Sequence, residues 1–302
     1  MASRARKSKH GARQEKAGLR LGVAGAVILG ALVACCIAVV ALCTVWLQDL
    51  PDYNDASAYN YAEKTKVYAN DGTTLLAEFY LENRDPIDLD EMGTYVTKGT
   101  VATEDERFYQ HNGIDVLGIA RAVWVNVTHT GHEGASTITQ QFVRNTILAD
   151  EATESTLKRK VREAYIAIKL EESYSKDEIL QMYLNTINYG QGAYGIQAAA
   201  QRYYSKNAKD LTIAQAATLI GIPQSPTYNN PIDNPENCKN RRNLVLDRML
   251  TNGVITQEEH DAAQAEDLNL NVSEVSTGDG MYKYKYFTSY GRETLLKDYS
   301  AD

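Results

Sequence analysis

Three periodicities divide this chain. From Leu21 to Leu47 the residues run LGVAGAVILGALVACCIAVVALCTVWL without a polar break. A bilayer core needs about 20 apolar residues, so this predicts a transmembrane helix over 21–47, with Trp46 as an interfacial anchor at its exit. Residues 48–62 (QDLPDYNDASAYNYA) are polar and irregular. Two β-like runs then follow, KVYA and TLLAEFYL, around Asn70-Asp71-Gly72, which predicts a hairpin and makes 48–95 a stalk. From about Val96 the apolar spacing becomes helical. Thr137-x-x-Gln140, Ser175-x-x-Glu178, Thr212-x-x-Gln215 and Thr256-x-x-Glu259 each match a capping box, and Gly190, Gly221 and Gly253 fall near expected helix ends, with Pro223 after one. No period of 20–50 residues repeats. The helical signal fades after about Asp267, and Tyr282 to Phe287 (YKYKYF) alternates like a strand. The pattern predicts one mainly α domain over 96–267 and a closing segment over 268–302.

Charge gives this layout a direction. The 302 residues carry a formal net charge of −8, are 44% hydrophobic and 23% charged, and can bury a sizeable core; the length alone predicts about two domains. The average hides an asymmetry: residues 1–20 hold seven bases and one acid, the stretch between Arg20 and Asp49 holds no charge, and everything beyond position 20 sums to −14. By the positive-inside rule the basic tail over 1–20 stays cytoplasmic and the rest is exported. Leu32-Val33-Ala34-Cys35 looks like a lipoprotein cleavage box, but Cys36 to Leu47 stays apolar after it. A cleaved signal peptide would have a shorter apolar run and a small-residue site near its end. An uncleaved anchor fits better. Cys35, Cys36 and Cys43 lie in that anchor and Cys238 is alone outside it, which leaves the exported part no internal disulfide and rules out a disulfide-stapled miniprotein.

Three clusters can do chemistry. The first is ATEDERFYQHNGID from Ala102 to Asp115, dense in ionisable groups; read alone, its acids make a solvated first turn of a helix, favoured by the helix dipole. The second is GASTITQQFVRN from Gly134 to Asn145. A helix starting at Thr137 puts Thr137, Gln141, Arg144 and Asn145 on one polar stripe, and its free N–H groups offer a phosphate site; an ordinary N-cap with a solvated face explains the same residues. The third is Lys158-Arg159-Lys160-Val161-Arg162-Glu163. Here Arg159 and Lys160 share a helix face with Glu163, either as a surface salt-bridge ladder or as a carboxylate among cations that faces a pyrophosphate or a metal. His129-x-x-His132 lacks further ligands at diagnostic spacing and does not read as a zinc site.

In this order the clusters resemble the signature motifs of glycosyltransferase family 51, the peptidoglycan transglycosylase domains of class A penicillin-binding proteins and the monofunctional transglycosylases. ATEDERFYQHNGID resembles motif one, GASTITQQFVRN motif two and RKVRE motif three; KDEILQMYLNTINYGQGAYGIQAAA resembles motif four and RRNLVLDRM, from Arg241, motif five. The likeness covers roughly 65–290. It implies a lysozyme-like fold and polymerisation of lipid II into glycan strands, with inversion at the anomeric carbon and release of undecaprenyl pyrophosphate. It also implies roles. Glu104 matches the general base and Glu163 the second carboxylate, assisting departure of the pyrophosphate through a divalent metal (Mg or Mn) or through water and cations; no other cofactor is implied. Asp105, Phe108 and His111 match supports of the base and cleft. Ser136, Thr137, Gln141, Arg144 and Asn145 would hold the donor, and Arg159 and Lys160 would neutralise the leaving group. Ala135 replaces a frequent Gly and Arg144 a frequent Lys, which keeps the charge but changes the hydrogen-bond fork.

Residues 116–133 carry Val116, Leu117, Ile119, Val123, Trp124 and Val125, an apolar face on a short helix. Core packing would explain it; the resemblance implies a jaw that touches the bilayer. Implied partners are lipid II, the nascent glycan-undecaprenyl pyrophosphate, the bilayer and other cell-wall synthesis proteins, with no nucleic acid. A lytic glycosidase has no use for a phosphate-facing basic cluster or a lipid-facing jaw, and an inactive scaffold has no use for both Glu104 and Glu163. The pairs Ser155-x-x-Lys158, Ser173-x-x-Lys176 and Ser205-x-Asn207 lie inside the transglycosylase region, and no KTG follows. A β-lactam is therefore not expected to acylate the chain. The closing segment resembles the linker toward a transpeptidase, so the expectation is a truncated bifunctional protein or a natural short form.

Overall fold

The structure is a computed structural model that describes residues 29–53, 65–79, 83–128, 134, 136–273 and 285–298. In chain order the elements are helix α1 (Leu29–Trp46), strands β1 (Thr65–Tyr68), β2 (Leu75–Phe79) and β3 (Asn83–Arg84), and helices α2 (Thr94–Glu104), α3 (Val116–Val127), α4 (Ile138–Asn145), α5 (Leu157–Ser173) and α6 (Lys176–Thr186). Strand β4 (Ala193–Tyr194) and helices α7 (Ile196–Tyr204), α8 (Ile213–Gly221), α9 (Pro235–Thr251), α10 (Gln257–Ala265) and α11 (Lys285–Asp298) complete them. The mainly α expectation is met. The described residues fall into two compact units, one formed by 29–50 with 155–162 and one by the remainder.

In the first unit, the described 18 residues of α1 have a mean hydropathy of 2.5 and are long and apolar enough to cross a membrane; 21–28 lie outside the described residues. Beyond its end the chain turns, and the Arg162 guanidinium donates to the carbonyls of Trp46 (3.0 Å) and Asp49 (2.8 Å). These are carbonyls that a helix C-terminus and the turn after it leave without helical partners.

In the second unit, β1 and β2 pair antiparallel with Thr65 opposite Phe79 and a register shift between Val67 and Tyr68. The expected hairpin forms. Its connection is organised by Asp71, whose Oδ1 accepts from the backbone N–H groups of Thr73 (2.9 Å) and Thr74 (2.8 Å). Strand β3 pairs in parallel with β4, Asn83 opposite Ala193, and Arg84 lies 4.8 Å over the Tyr194 ring.

All four capping boxes are present with both arms made, at Thr137, Ser175, Thr212 and Thr256, and they start α4, α6, α8 and α10. Each such cap contributes about 1 kcal/mol. Helix α8 packs on α9, and α2 packs on both. Their shared core includes Ala214, Ala217, Ile220, Val245, Leu246 and Met249, closed by Ile255 and Ala263. Helix α4 lies against α6, burying Ile138, Phe142 and Val143 on one side and Ile179, Leu180 and Tyr183 on the other. The two helix pairs frame the end of α2.

Two expectations need correction. Residues 285–287 of the YKYKYF stretch are helical, the start of α11, while 282–284 lie outside the described residues. Thr288 is buried while Tyr286 and Tyr290 are exposed, which suits a helix, where i and i+4 share a face opposite i+2, and not a strand, where all three would share one face. The acids of the first cluster are not a helix's first turn either: Glu104 is the last residue of α2.

Candidate active site

Helix α2 buries Val96, Gly99, Thr100, Ala102 and Thr103 and ends when Asp105 leaves helical geometry (φ −160°, ψ 75°). This releases Glu104 and Asp105 in different directions. Glu104 keeps 15% of its side chain exposed and accepts a hydrogen bond from Gln141 Nε2 at 2.9 Å. Arg241 Nη2 of α9 stands 3.4 Å from its other oxygen. The Gln141 amide is itself fixed, because Tyr183 Oη donates to its Oε1 at 3.1 Å. Burial, and then the negative charge of Glu104, push the Tyr183 phenol far above its ordinary range, so it remains a donor. Burial lowers the Arg241 pKa from its ordinary value, with Glu104 raising it and Arg248 lowering it further, and the guanidinium stays charged.

Asp105 turns inward. Both of its oxygens lie 3.0 Å from His111 Nε2, and Oδ2 also accepts from the Ile138 N–H at 3.1 Å. That contact alters one reading. The N-terminus of α4, expected to offer phosphate its free amides, already holds an internal carboxylate at Ile138, and the Gln140 N–H is taken by Thr137 Oγ1 at 3.1 Å. The dipole there is satisfied from within.

Thr137 is buried and donates to the Gly113 carbonyl at 2.8 Å. Gly113 has φ +78°, and a Cβ on it would stand 2.7 Å from the Ala167 carbonyl carbon and the Ile168 nitrogen. Only glycine lets this loop lie on α5. Phe108 is fully buried with Lys176 Nζ 4.4 Å over its ring; Lys176 pairs with Glu171 at 2.7 Å, and Glu171 accepts from Thr139 Oγ1 at 2.5 Å. Asp115 caps α3 through the Gly118 N–H and binds Arg107 Nη2 at 2.6 Å. Desolvation opposes its charge, but these two partners outweigh that and hold it below the usual carboxylate range.

The structure therefore brings Glu104, Gln141, Arg241 and Tyr183 together, with Asp105, Phe108, His111 and Thr137 as the buried frame behind them. Ser136 and Arg144 are half-buried and Asn145 is exposed. Glu163 is completely buried on α5, and Arg159 and Lys160 are half-buried in the first turn of the same helix. His129 and His132 lie outside the described residues. Among the described residues no three His, Cys, Asp or Glu side chains gather where a metal could sit, so a divalent ion at Glu163 would be held by that carboxylate together with substrate phosphates and water. A cavity of about 610 Å³ opens along the outer face of α2, lined by Thr94, Thr97, Lys98 and Val101 with Tyr109 and Val254; Glu104 does not line it.

Sequence reasoning missed Tyr183 as the partner that orients Gln141, and gave no role to Arg241, Arg248 or Asn252. The signal for the last three was their spacing: at i, i+7 and i+11 they lie on one face of α9.

Helix α3 shows a different surface. Only Gly118 and Ala122 are buried, while Val116, Leu117, Trp124 and Val127 are each about 70% exposed (71%, 68%, 71% and 70%). Core packing does not account for this apolar face.

These features define a helical domain whose largely buried glutamate is held at a helix end by an amide and a guanidinium. The family model for Transglycosylase matches residues 72–250, and the chain belongs to that family. It is similar to penicillin-binding protein 1A of Vibrio cholerae, 44% identical over 219 residues (72% of this chain and 26% of that protein). It is also similar to penicillin-binding protein 1A of Escherichia coli, 42% identical over 224 residues (74% and 26%), and to penicillin-binding protein 1F of Bacillus subtilis, 43% over 202 residues (67% and 28%). A crystal structure of penicillin-binding protein 1A from Haemophilus influenzae matches 80% of this chain and 25% of that one, at 23% identity and a TM-score of 0.46. The chain spans about a quarter of the length of the curated relatives it matches.

Proposed function

We propose that this chain is a peptidoglycan glycosyltransferase that polymerises lipid II with inversion at the anomeric carbon, acting as a membrane-anchored enzyme with a cytoplasmic N-terminus and an extracytoplasmic catalytic domain. The observation that carries the reading is the Glu104 carboxylate, held by Gln141 and Arg241 yet still reaching the surface, in a chain of the transglycosylase family. Glu104 takes the proton of the acceptor sugar's 4-hydroxyl as that oxygen bonds to C1 of the growing chain. The bond from C1 to the pyrophosphate oxygen breaks on the opposite face, and undecaprenyl pyrophosphate leaves with the electron pair. A base in this position contributes roughly 10²–10⁴-fold in rate.

Ser136, Gln141, Arg144 and Asn145 bind the donor, and Arg159 and Lys160 balance charge on the leaving pyrophosphate. Asp105, Phe108, His111 and Thr137 act from inside, as the frame that holds Glu104. Glu163 is the second carboxylate and assists departure of the pyrophosphate, through a divalent metal or through ordered water and cations. The exposed apolar face of α3 rests in the outer part of the bilayer, where the lipid substrate arrives. The domains follow the layout of basic tail, anchor over 21–47, stalk over 48–95, catalytic unit over 96–267 and a closing linker.

The test is polymerisation of lipid II by the full chain in vesicles, followed by glycan size analysis with and without divalent metal. Wild type yields polymer and Glu104→Gln yields none while its circular dichroism is retained. Cleavage of purified glycan without polymerisation, or full turnover by Glu104→Gln, overturns the reading.

A further inference from the structure

We propose that Arg248 of α9 and Asn252, which caps that helix, are positioning residues for Glu104: their side chains take over the last carbonyls of α2, and Arg248 with Arg241 supplies positive charge beneath a carboxylate at a helix C-terminus. The inference rests on the reading of Glu104 as the base.

The argument starts from the backbone. The last helical hydrogen bond of α2 runs from the Asp105 N–H to the Val101 carbonyl at 3.0 Å. The carbonyls of Ala102 and Thr103 then need other donors, as the final carbonyls of every helix do. Asn252 Nδ2 donates to Ala102 at 3.3 Å and Arg248 Nη1 donates to Thr103 at 2.5 Å. Asn252 Nδ2 also donates to the Arg248 carbonyl at 3.0 Å, which ties the pair together at the end of α9. The helix thus stops one residue after two carbonyls that α9 has claimed, and that residue is Glu104.

The electrostatics point the same way. A carboxylate is disfavoured at the negative end of a helix, and cations there offset the dipole. Arg241 and Arg248 occupy that place, one against the carboxylate and one against the carbonyl before it. The other groups facing Glu104 are Gln141 of α4, Tyr183 of α6 and Tyr189 beyond it, with Asp105 and Glu106 next in the chain and Arg144 acting on Tyr183. Apart from the arginines these are neutral or acidic, so Arg248 has few substitutes.

The experiment measures lipid II polymerisation by the full chain against substrate concentration, with melting curves for each variant. For Arg248→Gln we expect kcat to fall roughly tenfold or more with KM changed less than about twofold, because the base is misplaced and not the substrate. Arg248→Lys, which keeps a charged donor, restores most of kcat. Asn252→Ala lowers kcat with KM changed as little, having removed the donor to the Ala102 carbonyl. A purely structural role would lower the melting temperature and leave the kcat of the folded enzyme unmoved. A folded Arg248→Gln with wild-type kcat overturns the inference, as does Arg248→Lys losing as much kcat as Gln. If Arg248→Gln does not fold, Asn252→Ala decides: a lowered kcat supports the inference and an unchanged one overturns it. Wild type without polymerase activity, or an active Glu104→Gln, would instead overturn the reading of the base.

Discussion

Replacing Gly113 by alanine is expected to cost far more than the methyl group implies, and the structure allows the cost to be divided. The residue has φ +78°, a left-handed conformation that costs an L-residue roughly 1–2 kcal/mol. The added Cβ would lie 2.7 Å from the Ala167 carbonyl carbon and from the Ile168 nitrogen, and 2.8 Å from the Ala167 oxygen. All three are backbone atoms of α5 and cannot rotate away, so overpacking adds roughly 1–3 kcal/mol. The sum, roughly 2–5 kcal/mol, corresponds to a fall in Tm of roughly 4–20 °C for a domain of this size. Gly72 provides the control. It has φ +71° but nothing within 4 Å of its Cβ position, so Gly72→Ala incurs only the conformational part. Calorimetry of both variants in the same detergent separates the two contributions. If Gly113→Ala melts within about a degree of Gly72→Ala, the close approach of the loop to α5 plays no part in stability and the reasoning fails.

Two further outcomes follow from other parts of the molecule. Protonated His260 donates from Nδ1 to Asp261 at 2.9 Å and from Nε2 to Asp247 at 2.8 Å, and these hydrogen bonds raise its pKa despite partial burial. Its contribution is therefore complete below about pH 6.5, the unfolded value, and is lost as pH rises through the raised folded value. The gap in Tm between wild type and His260→Gln should narrow from pH 6 to pH 9, and a gap that widens refutes the assignment. Trp46 and Trp124 are the two tryptophans of the chain, so Trp46→Phe leaves Trp124 as the only indole. Its fluorescence in vesicles is expected to be quenched by lipids brominated on their acyl chains; quenching by aqueous iodide alone would place α3 in water.

Local chemistry made much of the fold legible in the sequence. The capping boxes at Thr137, Ser175, Thr212 and Thr256 are short-range devices, so their residues alone predict where α4, α6, α8 and α10 begin. The hairpin likewise follows from Asp71-Gly72 between alternating runs. What failed depended on residues distant in the chain. The end of α2 is set by Arg248 and Asn252, some 150 positions later, so the acids near Glu104 looked like a helix start. The amides of α4 looked free because nothing local reveals that Asp105 reaches Ile138 across 33 residues. Gln141 and Glu104 were both recognisable as site residues, but their hydrogen bond, and the Tyr183 hydroxyl that fixes the amide, come from three separate helices.

The grip of Arg162 on the carbonyls of Trp46 and Asp49 has a physical corollary if the chain is anchored in the membrane as proposed. Arg159 and Lys160 lie in the same compact unit as α1. Their depth beside the headgroups is then set by how far the apolar helix must tilt or sink to match the hydrocarbon around it, at a cost of fractions of a kcal/mol per Å of mismatch. On the roles proposed for these two side chains, bilayer thickness becomes a variable of pyrophosphate binding, adjustable by acyl-chain length with no change in the protein.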